Sequence, residues 1–190
     1  MKKLIMATVL ILSMASTTSI AETYLIDTKG AHAFIQFKIK HLGYSWLYGR
    51  FNRFDGEFSY DESNPAASSV KVNIDTASID SNHAERDKHL RGNEFLDVKQ
   101  FPTATFTSTS FEEKADGKVL IKGDFSLHGV TRAITIDAEH IGHGKDPWGG
   151  YRRGFAGRTH IALGDFNINY NLGPASRELE IILSVEGIRQ

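Results

Sequence analysis

The chain has 190 residues, 41% hydrophobic, 11% aromatic and 24% charged, which is the size and balance of one globular domain. Disordered, collagen-like and coiled-coil chains are excluded by that composition. A net charge of −1 leaves no overall basic field for nucleic acid or an anionic membrane. The absence of Cys removes disulfide scaffolds, thiol nucleophiles and Cys-based zinc sites.

Residues 1–21 read as a cleavable export signal. Met1-Lys2-Lys3 is a positive start, Leu4 to Ala15 is apolar except for Thr8 and Ser13, and Ser19-Ile20-Ala21 presents small residues before a cut ahead of Glu22. The apolar run falls short of the roughly 20 residues that span a bilayer, so no membrane anchor is expected. Loss of two lysines leaves 20 basic residues against 23 acidic ones, a soluble exported chain of charge −3. One domain, residues 22–190, follows, without linker or repeat.

From there the apolar residues recur every second position, the mark of strands with one buried and one wet face. Ala33, Ile35, Phe37 and Ile39 form the first such set, with Phe34 alone breaking the polar face. Tyr44, Trp46, Tyr48, Phe51 and Phe54 make a dense aromatic run that suits either core packing or the wall of an apolar pocket. Phe54, Phe58 and Tyr60 share one parity, as do Val70, Val72 and Ile74, with Asp61 to Pro65 as the turn between them. Ala104 to Thr107 is a further strand, and Lys114 to Lys118 a hairpin leading into Val119, Ile121, Phe125 and Leu127. Ile134, Ile136 and Ala138 follow, then the longest predicted loop, Gly142 to Gly150. The pattern resumes at Phe155, Ile161 and Leu163, then Phe166, Ile168 and Tyr170, and ends with Leu179, Ile181, Leu183 and Val185.

One segment does not alternate. Asn82 to Arg91 is a predicted short helix, capped by Asn82 with Glu85 three residues on and stopped by Gly92, with Leu90, Phe95 and Leu96 tethering it to the strands. Eight or nine strands and one helix fit an all-β, antiparallel barrel of about eight strands better than a sandwich, because closure removes exposed edges. Phe37, Phe54, Phe58, Phe106, Phe125 and Phe155 all fall on the inner face. A barrel of this size either fills with side chains or holds one small ligand, and periodicity alone does not choose.

Residues able to carry chemistry are sparse. His83, Glu85, Asp87 and His89 are the best metal candidates, but they scatter around the helix and lack the HExxH spacing; a solvated helix with Glu85 paired to Lys88 or His89 is the favoured reading. His128 ends a strand without a flanking nucleophile and suits a backbone hydrogen bond. His140 and His143 read as loop residues, and Gly142 and Gly144 lack the spacing of a phosphate cradle.

Several blocks, in order, resemble the YceI family of periplasmic polyisoprenoid-binding proteins across residues 22–190. They are His32-Ala33-Phe34, His41 to Ser45, Gly49-Arg50-Phe51, Phe54-Asp55-Gly56, His83 to Leu90, Phe95-Leu96-Asp97, Phe101 to Phe106, Gly123 to Thr131 and Leu172 to Ser176. Arg132-Ala133 stands where the family often has Pro, and the Gly-x-Trp signature of lipocalins is missing. The resemblance implies a lipocalin-like barrel in the periplasm, with no catalysis and no cofactor other than a bound isoprenoid or quinone-like lipid. The residues expected to line it are Phe37, Ile39, Trp46, Phe51, Phe54, Phe58, Leu90, Phe95, Phe106, Phe125, Leu127, Ile134, Ile136 and Phe155. Arg86, Asp87, His89 and His128 are candidates for the head group. The expected partner is an amphiphilic lipid with an isoprenoid tail, with no nucleic acid and no stable membrane anchor; a homodimer is left open. Two rivals stand beside it: a metal-assisted hydrolase built on His83 to His89, and a solid-cored scaffold.

Overall fold

The computed structural model describes residues 21–114 and 116–190; the expected export signal, residues 1–20 up to its cleavage point, lies outside the described residues. The strands are β1 (Glu22–Ile26), β2 (Phe34–His41), β3 (Ser45–Phe51), β4 (Phe54–Tyr60), β5 (Ser69–Asp75), β6 (Ile79–Asp80), β7 (Thr103–Glu113), β8 (Lys118–Leu127), β9 (Val130–Lys145), β10 (Tyr151–Ala162) and β11 (Glu178–Arg189). The α-helix, α1, is Ala84–Leu90.

Every pairing is antiparallel, and β1 pairs with both β4 and the last residues of β11. That double pairing closes the sheet into an eight-stranded barrel. The larger number of strand segments arises because three staves of the barrel are bent. β1 and β2 lie one after the other along β11, β3 and β4 are parted by Asn52 and Arg53, and β5 and β6 by a 3₁₀ turn at Thr76–Ser78. The last two bends are locked together: Asp75 N donates to Arg53 O at 3.0 Å and Asn52 N to Ser78 O at 3.1 Å.

Past these bends β6 pairs only with β3, which leaves a gap at one end of the barrel that α1 and residues 91–101 cover. Arg91 fixes this cover, donating from Nε to Ala77 O at 2.8 Å and from Nη2 to Ile79 O at 2.6 Å. The helix starts one residue later than the sequence suggests. His83 is the N-cap, its Nδ1 accepting from Arg86 N, while Asn82 takes a left-handed φ of 62° that Asn tolerates. Glu85 lies 3.9 Å from Lys88, as expected for a solvated face.

Three other sequence expectations are corrected. β1 carries only a short apolar pattern and escaped notice. The Gly142 to Gly150 loop is strand as far as Lys145, so the turn is 146–150, and His140 and His143 sit on β9. Phe166, Ile168 and Tyr170 are not a strand: Leu163–Phe166 is a 3₁₀ turn and the next residues are irregular, although Phe166 and Ile168 are still buried. Anchoring through hydrogen bonds replaces the ladder here, since His128 Nδ1 lies 3.0 Å from Phe166 O.

The connection between β1 and β2 is pinned to the outer wall. Asp27, only 6% exposed, accepts from Gly30 N at 2.8 Å and Arg152 Nη1 at 2.7 Å and lies 2.9 Å from His32 Nδ1. The His32 contact, with the Arg152 and Gly30 bonds, holds its pKa down to about 2. A depressed carboxylate pKa means stability that is present above the unfolded value near 4 and lost as pH falls toward 2. The acid-dependent loss assigned to Asp27 is up to about 2 kcal/mol. Urea midpoints across that range should show it, and Asp27→Asn should flatten this part of the profile.

Candidate functional site

The inner face of the barrel does not close on itself. It surrounds a cavity of about 430 Å³ walled by Ile, Leu, Val, Ala and Phe from every stave. The lumen is therefore hollow, which answers the question that periodicity left open and removes the solid core. A geometric device explains how so many phenylalanines leave room. Phe37 lies across Gly49 and Phe106 across Gly123 on the next strand, and Phe58 reaches past β1 to Gly187 on β11, each ring occupying the place of a missing side chain. The rings thus lie along the wall instead of projecting inward.

At Gly123 an added Cβ would stand 2.5 Å from Phe106 Cζ and 2.5 Å from Thr107 O. Gly123→Ala should therefore cost about 1–3 kcal/mol by overpacking, read in a urea melt. It should also swing the Phe106 ring into the lumen, seen as a narrower cavity in a crystal structure.

The floor lies where β4, β7, β9 and β10 meet β1. Tyr24 stacks on Phe58 with centroids 4.9 Å apart, and Phe155 meets Phe58 edge-on at 5.6 Å. Below these rings Arg153 points inward from β10, 2% exposed, with its guanidinium 4.1 Å from the Tyr60 ring centre. It pairs with Glu62, donates toward Tyr24 Oη at 3.4 Å and lies 3.3 Å from His140 Nε2. Tyr60 Oη donates to Glu113 at 2.6 Å, and burial together with that carboxylate pushes its pKa up to about 12. Burial first, then the Arg153 charge, holds His140 below the ordinary imidazole range. This polar layer seals one end.

The opposite end is the mouth. The lining residues there that reach solvent are His41 at the end of β2, His89 on α1 and Tyr170 in the irregular segment, with Leu90, Phe95, Leu163 and Leu172 beside them. His89 meets Phe95 and Tyr170 edge-on at 5.0 and 5.3 Å.

Of the residues expected to line a pocket, Phe37, Ile39, Phe51, Phe54, Phe58, Leu90, Phe95, Phe106, Phe125, Leu127, Ile134, Ile136 and Phe155 all face this cavity. Trp46 does not. It pairs with Lys40 on the β2–β3 hairpin, and the alternation that turns Leu47 inward turns Trp46 to the outer face, 51% exposed. Among the head-group candidates, Arg86 and His89 reach the rim, though Arg86 donates to Ser81 O at 2.5 Å and Ser81 Oγ at 2.8 Å and His89 lies 2.8 Å from Glu94. Asp87 is buried, accepting from Ser81 N at 2.8 Å and from Ser81 Oγ, and His128 is occupied by Phe166 O. Tyr60 and Phe111 at the floor and Tyr170 and Leu172 at the rim were missed. Alternation from Phe106 would send Phe111 outward; a β-bulge between Ser108 and Ser110 shifts the register and turns it in, and Leu172 lies in a stretch with no period to read.

The His83 to Asp87 face offers no converging ligand set, because His83 caps the helix and Asp87 holds Ser81. Among the described residues, the grouping close enough to share an ion is Asp27, His32 and Glu186, on the outer wall. Arg152 Nη1 already bridges its two carboxylates at 2.7 and 2.5 Å.

Comparison with known proteins places this architecture. The family profile described as a YceI-like domain matches residues 24–187. The chain belongs to the YceI-like family. A UPF0312 protein of Yersinia enterocolitica is 56% identical to this YceI-like chain over 188 residues, 99% of the chain and 97% of the relative. One from Pseudomonas aeruginosa is 61% identical over 173 residues, 90% of each. Among solved structures, BcnA of Burkholderia cenocepacia shares the fold with a TM-score of 0.75 at 20% identity, over 85% of this chain and 98% of that one. The Campylobacter jejuni YceI protein gives 0.71 at 28% identity, covering 80% and 91%. A protein described as a polyisoprenoid binding domain from Saccharophagus degradans gives 0.65 at 15% identity, covering 88% and 98%.

Proposed function

We propose that this YceI-like barrel is a periplasmic binding protein that holds an isoprenoid or quinone-like lipid in its lumen and performs no chemistry on it. The observation that carries the reading is the 430 Å³ cavity, walled overwhelmingly by aliphatic and aromatic side chains and sealed at one end by the Arg153 layer. Each CH₂ withdrawn from water contributes about 0.8 kcal/mol, so a hydrocarbon tail gains from every carbon that fits inside. So little of such a wall can hydrogen-bond that it suits a tail recognised by shape and apolarity. The polyisoprenoid-binding description of the Saccharophagus degradans neighbour supports the same class of cargo, and the signal-like residues 1–21 support export.

The test is to purify the protein from its native compartment, extract it with organic solvent and identify what co-purifies by mass spectrometry. A prenyl lipid near one per barrel is the expected result. Its absence, together with no uptake of an added fluorescent farnesyl derivative, overturns the reading.

A further inference from the structure

A cargo that is nearly insoluble in water has to enter and leave the cavity without crossing much water, so the surface around the mouth bears on how it is exchanged. That surface is unusual. The β2–β3 hairpin projects at the mouth and exposes Tyr44 at 87%, Tyr48 at 58%, Leu42 at 52% and Trp46 at 51%. Tyr170, on the rim itself, adds another exposed ring. These side chains form no part of the cavity wall except Tyr170.

Charge is arranged to match. No Asp or Glu occurs between Asp27 and Asp55, a stretch that carries Lys29, Lys38, Lys40, Arg50 and Arg53 in a chain of net charge −1. Lys38, Arg50 and Arg53 meet Glu180, Asp80 and Asp75 on neighbouring strands, but Lys40 and His41 stand at the tip beside the aromatic rings. Lys38 and Lys40 hold their ammonium groups 5.0 and 5.6 Å from the Trp46 ring centre. Tyr and Trp rings with lysines beside them suit the boundary of a bilayer, where one end of each side chain is apolar and the other wet.

We propose that the hairpin face formed by Leu42, Tyr44, Trp46 and Tyr48 docks the mouth of the barrel reversibly on an anionic phospholipid bilayer; its purpose, though not its geometry, rests on the lipid-carrying role proposed above. A second copy of the chain fits this face less well. A two-fold contact would set Lys38 and Lys40 of one copy near the same lysines of the other.

The test is flotation of the purified mature protein, residues 22–190, with vesicles of phosphatidylethanolamine and phosphatidylglycerol, alongside titration with a farnesyl fluorophore in the absence of vesicles. The wild type should float. Tyr44→Ser combined with Trp46→Ser should lower vesicle partitioning about tenfold or more, as loss of two inserted rings predicts. Trp148→Ser, at the far end of the barrel and 77% exposed, should float like the wild type, and all three proteins should take up the fluorophore equally. A wild type that takes up the fluorophore but does not float overturns the docking proposal and leaves the cargo reading standing. Flotation that the double substitution does not weaken overturns it as well. So does a dimer that the double substitution dissolves without any vesicle binding. Flotation through the hairpin without fluorophore uptake supports docking and overturns the cargo reading.

Discussion

Leu183→Trp is expected to weaken lipid uptake strongly while leaving the barrel folded. Leu183 sits on the inner face of β11, opposite Gly157 on β10 and Ile35 on β2, and contributes to the cavity wall. Ile136 and Ala138 already fill the place beside Gly157, so the room for an indole at position 183 is the lumen that Leu183 borders. Overpacking of a filled core costs about 1–3 kcal/mol, but a side chain added to an existing void gains contacts instead. The thermal midpoint should therefore hold or rise. Uptake of a farnesyl fluorophore should weaken at least about tenfold, equivalent to about 1.4 kcal/mol, because the tail and the indole compete for one volume. Unchanged uptake with a folded protein would mean that the lipid binds somewhere other than the lumen. Lost uptake accompanied by a lowered midpoint would mean that the site tolerates no addition.

That experiment turns on a property the sequence carries only indirectly. Alternation identifies Phe37, Phe106 and Phe58 as inward-facing, because a strand's side-chain period is fixed at two. It does not say whether six inward phenylalanines meet in the middle or lie against the wall. The answer comes from Gly49 and Gly123 on adjacent strands and Gly187 one strand further on, which look like weak points within a strand until the pairing register is known. The same period misled at Phe166, Ile168 and Tyr170. Phe166 and Ile168 are buried as alternation requires, but they reach the interior from a 3₁₀ turn and an irregular stretch with no partner strand. Trp46 shows the opposite limit: the run of five aromatics from Tyr44 to Phe54 reads as one group, whereas parity splits Trp46 and Tyr48 from Phe51. The helix was legible from Gly92 and the polar run before it, but its cap moved because a histidine ring can accept from a backbone N–H as Asn does. The floor was not legible at all. Arg153 follows Arg152 in sequence, and only the closed ring sends one to an outer carboxylate cluster and the other beneath Tyr60.

Arg153→Ala is expected to be the most destabilising single change outside the aliphatic wall, at about 2–4 kcal/mol in a urea melt. The guanidinium lies against Tyr60 and near Tyr24 Oη, and the whole side chain is buried; truncation loses the packing, the ring contact and the Glu62 pair together. Glu62 is largely exposed and regains water, so the cost is not that of stranding a buried charge. Arg153→Met separates the parts. If packing dominates, the methionine restores most of the loss; if the charge is what organises the layer, it does not. A second readout comes from His140. Its pKa is held below the ordinary value by burial and by the Arg153 charge, so the unfolded chain binds a proton that the folded chain refuses. Stability from this group is present above the unfolded imidazole value, near 6.5, and declines as pH falls from there toward the lower folded value. Arg153→Met removes the second of those causes while leaving burial in place. The decline below pH 6.5 should become shallower than in the wild type, and His140→Asn should remove that contribution altogether. A Met variant whose acid profile stays parallel to that of the wild type would show that Arg153 serves the floor through shape alone.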